Sequence, residues 1–139
     1  MPFSVDRIDH DANIGITVLA DSPEELFRGA TEGMLEILLD SSKIESRTIR
    51  IVSKASKKID LLLVGFLNEI LDLVLLDGFA ARGINIGEFT DDFIVAEVSG
   101  QKNLPEYSVL HEIKAVTCHQ LEIKKDEKET YSTRIIFDL

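Results

Sequence analysis

The sequence predicts an α+β fold in which two main helices pack on one face of a mostly antiparallel sheet. Two long segments carry apolar residues at helical spacing, and the segments around them alternate apolar and polar residues as strands do. The order is strands, helix, strand, helix and then several strands, which favours a layer of helices on an antiparallel sheet. With 139 residues and no Pro/Gly/Ser-rich linker, the chain is expected to form a single domain, residues 1–139.

The N-terminal part predicts two strands and a helix. Residues 3–8 are a candidate edge strand, and residues 14–18 alternate as in a half-buried strand. A helix is expected from position 23 to near position 39, because a proline suits its first position and an apolar stripe follows. Ser22 can cap this helix, and Glu25 completes a capping box.

The middle of the chain predicts a strand, a central helix and a hairpin. Residues 48–53 interleave polar and apolar side chains, and residues 56–76 are apolar around most of a helical circumference. Gly78 lies near the expected C-terminal cap of that helix. Strands at 80–89 and 93–98 then flank a Thr-Asp-Asp turn.

The C-terminal part predicts a loop and a last hairpin. The loop spans residues 100–110 and contains a proline. The hairpin is expected to run from 113 to 124, turn at 125–128 and return over 130–137.

Charge and cysteine content narrow the class of protein. The net charge of −10 opposes direct binding to phosphate backbones and favours cations and basic protein surfaces as partners. The single cysteine, Cys118, rules out an internal disulfide and fits a reducing compartment. No secretory signal and no apolar segment suited to a membrane is visible, so we expect a cytoplasmic protein.

Two acidic clusters near the two ends of the sequence are candidates for a hard-oxygen metal site. One is residues 9–13, where Asp9, Asp11 and Asn13 would share a face of an extended segment while His10 points the other way. The other is the Asp138 carboxylate beside the terminal carboxylate of Leu139. Neighbouring terminal strands would bring the clusters together for Ca²⁺ or Mg²⁺. The alternative is a turn in which Asp and Asn cap backbone donors.

Several segments, in the same order along the chain, resemble the archease family. Residues 9–16 resemble its acidic-His-Thr-Ala-Asp-Ile-Gly opening, and residues 112–119 resemble its Lys-Ala-Val/Ile-Thr-Tyr-His stretch. Residues 135–139 resemble its Asp-aliphatic ending, and residues 23–27 and 62–71 stand where the family has two helices. The resemblance covers the whole chain and implies the archease fold.

The resemblance also implies a divalent-metal site at Asn13, Asp138 and Leu139. The family has an aspartate where this chain has Asn13, and a threonine where it has Asp11. An amide oxygen can coordinate a cation without contributing charge, so Ca²⁺ or Mg²⁺ is expected to bind weakly. Asp11, on the same predicted face, is a candidate for the missing carboxylate.

Lys114 and His10 are candidate functional residues. The matching family lysine is treated as functional and close to the acidic site, whereas the alternative for Lys114 is an ordinary surface lysine. His10 matches the histidine of the family's opening motif. His119 is better explained as a core or sheet-face residue than as a zinc ligand, and His111 lies in a loop without an assigned role.

The function that the resemblance implies is accessory and not enzymatic. Archeases assist the GTP-dependent ligase of tRNA splicing and processing, which joins RNA ends bearing a 3′-phosphate and a 5′-hydroxyl. They are proposed to promote ligase guanylylation and turnover, and are also described as chaperone-like modulators. Two alternatives stay open: a chaperone-like interaction module without metal dependence, and a metal-dependent hydrolase using Asp11 and Asp138.

Overall fold

Two helices and two antiparallel sheets make up the protein in a computed structural model that describes residues 2–9, 13–117 and 121–139. In chain order the elements are β1 (Phe3–Asp9), β2 (Asn13–Ala20), α1 (Pro23–Leu38), a 3-10 helix (Ser41–Lys43), β3 (Thr48–Ala55), α2 (Ile59–Leu75), β4 (Ala80–Thr90), β5 (Phe93–Gln101), β6 (Ala115–Val116), β7 (Lys124–Lys125) and β8 (Tyr131–Asp138). The predicted α+β class is confirmed. The antiparallel strands are divided between two sheets.

The larger sheet brings the first strands of the chain beside the last. Its order is β1-β2-β8-β6, with β7 also paired to β8. The alternation of Ile14, Ile16 and Val18 places these side chains on the buried face, opposite Phe137, Ile135 and Thr133 of β8. The condition for the two acidic clusters to meet, that the terminal strands are neighbours, is therefore fulfilled by β2 and β8.

The smaller sheet has the order β3-β5-β4 and contains the predicted hairpin. The turn between β4 and β5 is closed by Thr90, whose hydroxyl lies 2.8 Å from an Asp92 carboxylate oxygen. β5 continues to Gln101, three residues beyond the predicted strand end. Its inward side chains Ile94, Ala96 and Val98 are fully buried.

Helix α1 begins at the predicted cap. The Ser22 hydroxyl accepts a hydrogen bond from the backbone N–H of Glu25 at 3.2 Å, and Pro23 is the first helical residue. The Glu25 side chain lies 3.6 Å from Arg28 on the helix surface. The apolar stripe of α1 packs on the larger sheet and also contacts β4.

Helix α2 is the central element, as its sequence predicts. It begins at Ile59, three residues later than expected, after Lys58, which makes no side-chain cap. Its buried residues lie in one hydrophobic core that includes α1 and both sheets. Gly78 follows its end with φ of +73°, a conformation that favours glycine, and the chain then turns into β4. Within the described residues, no helix is long and apolar enough to cross a membrane.

The last hairpin differs most from its prediction. The expected strand over 113–124 is two short strands, β6 and β7, which pair with opposite ends of β8. The turn before β8 is built on Asp126, whose carboxylate accepts hydrogen bonds from the N–H groups of Lys128 and Thr130. The structure does not describe residues 118–120, between the two short strands.

Candidate functional site

Asn13 and Asp138 lie directly opposite each other in the β2–β8 pair. Their neighbours Ile14 and Phe137 form the next pair and are buried, so the side chains of Asn13 and Asp138 belong to the outer face. Residues opposite each other in an antiparallel pair have Cα atoms about 4.5–5.5 Å apart. Asn13 is half-buried and Asp138 is exposed. The two candidate oxygen ligands are therefore neighbours at one end of the larger sheet.

Strand β6 brings Lys114 to the other side of Asp138. Ala115 pairs with Asp138, and the backbone N–H of Lys114 donates a 2.7 Å hydrogen bond to the carbonyl oxygen of Asp138. Lys114 immediately precedes the short strand, and its side chain is exposed. Three segments that are far apart in sequence thus bring the backbones of Asn13, Asp138 and Lys114 together. Their functional roles stay predictions.

Asn68 of α2 fixes the position of β6. Its side-chain oxygen accepts a hydrogen bond from the N–H of Val116 at 3.0 Å, and its amide nitrogen donates to the Val116 carbonyl at 3.3 Å. A two-residue strand has few ladder hydrogen bonds of its own, so this paired contact attaches it to the central helix. Sequence analysis did not single out Asn68, because an isolated amide in an apolar helix does not identify its backbone partner.

The described residues supply only part of the oxygen ligands that a hard cation needs. Asn13 offers an amide oxygen and Asp138 a carboxylate, both of which suit Ca²⁺ or Mg²⁺. Among residues 2–9, 13–117 and 121–139, no group of three or more His, Cys, Asp or Glu side chains is arranged to hold a metal. A larger set of oxygen ligands would use Leu139 and Asp11, the two further positions predicted from sequence. Weak binding of a cation at this site stays a prediction.

Two predicted site residues, His10 and Asp11, lie outside the described residues, in the segment between β1 and β2. Cys118 and His119, which were not predicted as metal ligands, lie outside them as well. Among the described residues, β2 pairs with one side of β8 and β6 with the other.

Arg7 and His111 form a contact that sequence analysis did not identify. A guanidinium nitrogen of Arg7 approaches Nε2 of His111 to 3.5 Å, across 104 positions of sequence. Arg7 pairs with the buried Ile16, so the two residues lie on the same face of the sheet. Asn13 lies on the opposite face. No short-range pattern could have revealed this pair, because β1 and the loop before β6 meet only in the folded chain.

Comparisons with known proteins agree with this architecture and with the order of the motifs. The model of the archease protein family (MTH1598/TM1083) matches residues 6–139. The chain belongs to the archease family. Protein archease of Methanosarcina barkeri is 32% identical over 137 residues, which cover 95% of this chain and 93% of that protein. Protein archease of Pyrococcus abyssi is 27% identical over 138 residues, covering 96% and 97%.

The same archease fold occurs in a solved structure. The solution structure of Methanobacterium thermoautotrophicum protein 1598 superimposes with a TM-score of 0.76 at 26% identity and covers 99% of both chains. The family match includes β2, β6 and β8, the three strands that assemble the candidate site. Membership in the archease family, which the motifs at 9–16, 112–119 and 135–139 predicted, is therefore confirmed.

Proposed function

We propose that this archease is an accessory protein of a GTP-dependent RNA ligase, and that it promotes guanylylation and turnover of that ligase. The ligase would be the one that joins RNA ends bearing a 3′-phosphate and a 5′-hydroxyl in tRNA splicing. Family membership supports the general role. The single observation that carries the site is the register that places Asn13 opposite Asp138 while Lys114 is hydrogen-bonded to the backbone of Asp138.

The charge of the chain supports a protein partner over direct contact with RNA. At −10, the protein repels phosphate backbones over a distance set by salt screening. The same charge attracts a basic protein surface, and an RNA ligase must present such a surface to its substrate. The archease would then act on the ligase within the cytoplasm, and it would have no reaction of its own.

The candidate site can supply both signs of charge to the ligase. Asp138 and Lys114 have exposed side chains on segments held by backbone hydrogen bonds, so little reordering is needed when a partner contacts them. A bound Ca²⁺ or Mg²⁺ would add positive charge, which favours contact with a phosphate or carboxylate. Asn13 and Asp138, with Leu139 and Asp11, are the residues that would hold it.

Ligase guanylylation measured with matched variants tests the proposal. Single-turnover transfer from GTP to the ligase is followed with wild-type protein, Asp138→Ala and Lys114→Ala at equal concentration. Both variants are expected to lose at least tenfold in stimulation while keeping the wild-type melting temperature. Ser132→Ala, on the same face of β8 but six residues from Asp138, is the control and should stimulate normally.

Two outcomes would contradict the proposal in different ways. Full stimulation by both variants would remove the site from the mechanism and favour a chaperone-like module, for which the exposed apolar residues Ile49, Ile51 and Leu76 provide a surface. Metal-dependent hydrolysis by the isolated protein, lost in Asp138→Ala, would favour the hydrolase alternative.

A further inference from the structure

Strand β3 is an open edge of the smaller sheet. The order β3-β5-β4 leaves one side of β3 without a strand partner among the described residues. The strand pairs with β5 in unbroken register over eight residues, from Thr48 to Ala55. The other edge, β4, has two register shifts, the kind of irregularity that discourages further pairing. Of the two edges of this sheet, β3 is therefore the one suited to receive another strand.

The backbone of alternate β3 residues faces the open side. Directly after the strand, the N–H of Ser56 donates to the carbonyl of Asp92 at 2.9 Å, which makes this a hydrogen-bonded pair. Hydrogen-bonded pairs recur at every second residue, so Lys54, Val52 and Arg50 direct their backbone groups toward β5. The backbone groups of Ile49, Ile51 and Ser53 consequently point to the open side.

The two faces of this edge have different chemistry. On the outer face, the side chains of Ile49 and Ile51 are neighbours and are 59% and 63% exposed, so together they form an exposed apolar surface. On the inner face, Arg50 and Lys54 point toward α2 and pair with Asp77 at 3.6 Å and with Glu69 at 3.3 Å. The outer face of β3 thus exposes two isoleucines, and its inner face carries two basic residues on either side of the buried Val52.

A groove between β3 and α2 adds a negative charge to this edge. It has a volume of about 310 Å³, and its charged lining residues are Arg50, Glu69, Asp72 and Asp77. Asp72 is exposed and lies on α2 between the two acidic residues that pair with β3. The last turn of α2 contains no basic residue to offset the negative end of the helix. The groove therefore favours a positive side chain beside Asp72.

We propose that β3 pairs antiparallel with β3 of a second copy of this chain, which joins the two smaller sheets into one six-stranded sheet. The strand suits this edge, because Ile49 and Ile51 lie on the outer face while Arg50 and Lys54 face the acidic residues of the inner side. This pairing is separate from the proposed site, which lies in the larger sheet.

The twofold register follows from the open backbone groups. Ile51 would face Ile51 of the second copy, since its N–H and C=O both point to the open side. Arg50 of the second copy would then lie opposite Val52, which lines the same groove as Asp72, and the symmetric contact would repeat this pair. Lys54 would lie opposite Thr48 of the second copy. No two like charges are directly opposite each other in this register. Like charges in that position would destabilise the strand pair.

The edge strand β1 of the larger sheet fits a second copy less well. Its outward positions are Ser4, Asp6 and Ile8, and Asp6 stands at the middle of the strand. Antiparallel pairing of β1 with β1 of a second copy would bring acidic side chains together in a chain that already carries a net charge of −10. One strand edge buries little area, so the dimer is expected to be weak and dependent on concentration.

Sedimentation equilibrium of the full chain tests the proposal. Wild-type protein is expected to show a monomer–dimer equilibrium between micromolar and millimolar concentration. Ile51→Lys and Asp72→Lys should each weaken the dimer at least tenfold while keeping the circular dichroism spectrum and melting temperature of the wild type. Leu19→Lys places the same change at a 41% exposed leucine on the larger sheet and should leave the dimer unchanged.

Cysteine cross-linking tests the register independently of dimer strength. In a Cys118→Ser background, Ile51→Cys should form an intermolecular disulfide, because the Cα atoms of a hydrogen-bonded antiparallel pair are about 5.5 Å apart. Ile49→Cys is the matched control, since the two copies of that position would be about 13 Å apart along the strand. A chain that stays monomeric with no Ile51→Cys cross-link would overturn the proposal. So would a dimer that Ile51→Lys leaves intact.

Discussion

The backbone N–H of Lys114 donates a hydrogen bond to the carbonyl oxygen of Asp138 over 2.7 Å. The two residues are joined through their main chains, while both side chains are exposed. Main-chain atoms therefore hold the site in place, and the side chains are available to a partner.

Truncating the site side chains is expected to leave the fold intact. Lys114→Ala and Asp138→Ala keep the main-chain hydrogen bond and remove exposed groups, so the free energy of unfolding should change by less than about 0.5 kcal/mol. Urea unfolding monitored by circular dichroism measures this change. A loss above about 2 kcal/mol in either variant would mean that the side chain has a structural role.

Asn13→Asp is expected to strengthen binding of Ca²⁺ or Mg²⁺. The substitution adds a carboxylate directly opposite Asp138, which raises the negative charge presented to a cation. Isothermal titration calorimetry should show tighter binding for Asn13→Asp than for wild type, and weaker binding for the control Asn13→Ala. Equal affinity in all three proteins would exclude Asn13 as a ligand.

Asn68→Ala is expected to destabilise the protein by about 1–3 kcal/mol, because it leaves the N–H and C=O of Val116 without their side-chain partner in a part-buried position. It should also weaken ligase stimulation, since β6 carries Lys114 toward Asp138. Asn68→Asp keeps the acceptor oxygen and loses the donor, so its free energy of unfolding should lie between those of the wild type and Asn68→Ala. Unchanged stability in Asn68→Ala would show that β6 is held by β8 alone.

Two glycine-to-alanine changes in helices are expected to have opposite effects. A Cβ at Gly29 would lie 2.9 Å from both Phe3 and Val18, inside the contact between α1 and the larger sheet. We expect Gly29→Ala to destabilise by about 1–3 kcal/mol. A Cβ at Gly65 meets the flexible end of Lys54, so Gly65→Ala should gain up to about 1 kcal/mol of helix propensity. Chemical denaturation of both variants checks the contrast.

Glu32 is expected to make stability depend on pH. Partial burial raises the pKa of its carboxyl above the ordinary value; the charge of Arg28 lowers this pKa and that of Glu25 raises it, both to smaller extents. The folded state then binds the proton more tightly than the unfolded state, so stability falls as pH rises from the ordinary glutamate value through the raised one. Glu32→Gln, which stays neutral, should melt higher than wild type at pH 7. This difference in melting temperature should disappear below pH 4. A difference that stays constant with pH would contradict ionisation of Glu32 as its cause.

The elements of this protein could largely be predicted from local patterns. The alternation over 14–18, the Ser22 cap with its following proline, and the apolar helix ending before Gly78 all have causes within a few residues. Their boundaries in the structure lie within a few residues of the expected ones. The failure was the strand predicted over 113–124, because its apolar residues do not reveal that, among the described residues, only its two ends pair with β8.

The sequence by itself determined the α+β class, the two helices and membership in the archease family, since these depend on periodicity, caps and motifs in order. Only the tertiary structure decided that Asn13 stands opposite Asp138, that Lys114 is bonded to the Asp138 backbone, and that the strands divide into two sheets. The physical reason is the distance in sequence between the residues that interact. A helix cap is set by neighbours in sequence, whereas a strand's partner and register depend on which distant segments bury their apolar faces together.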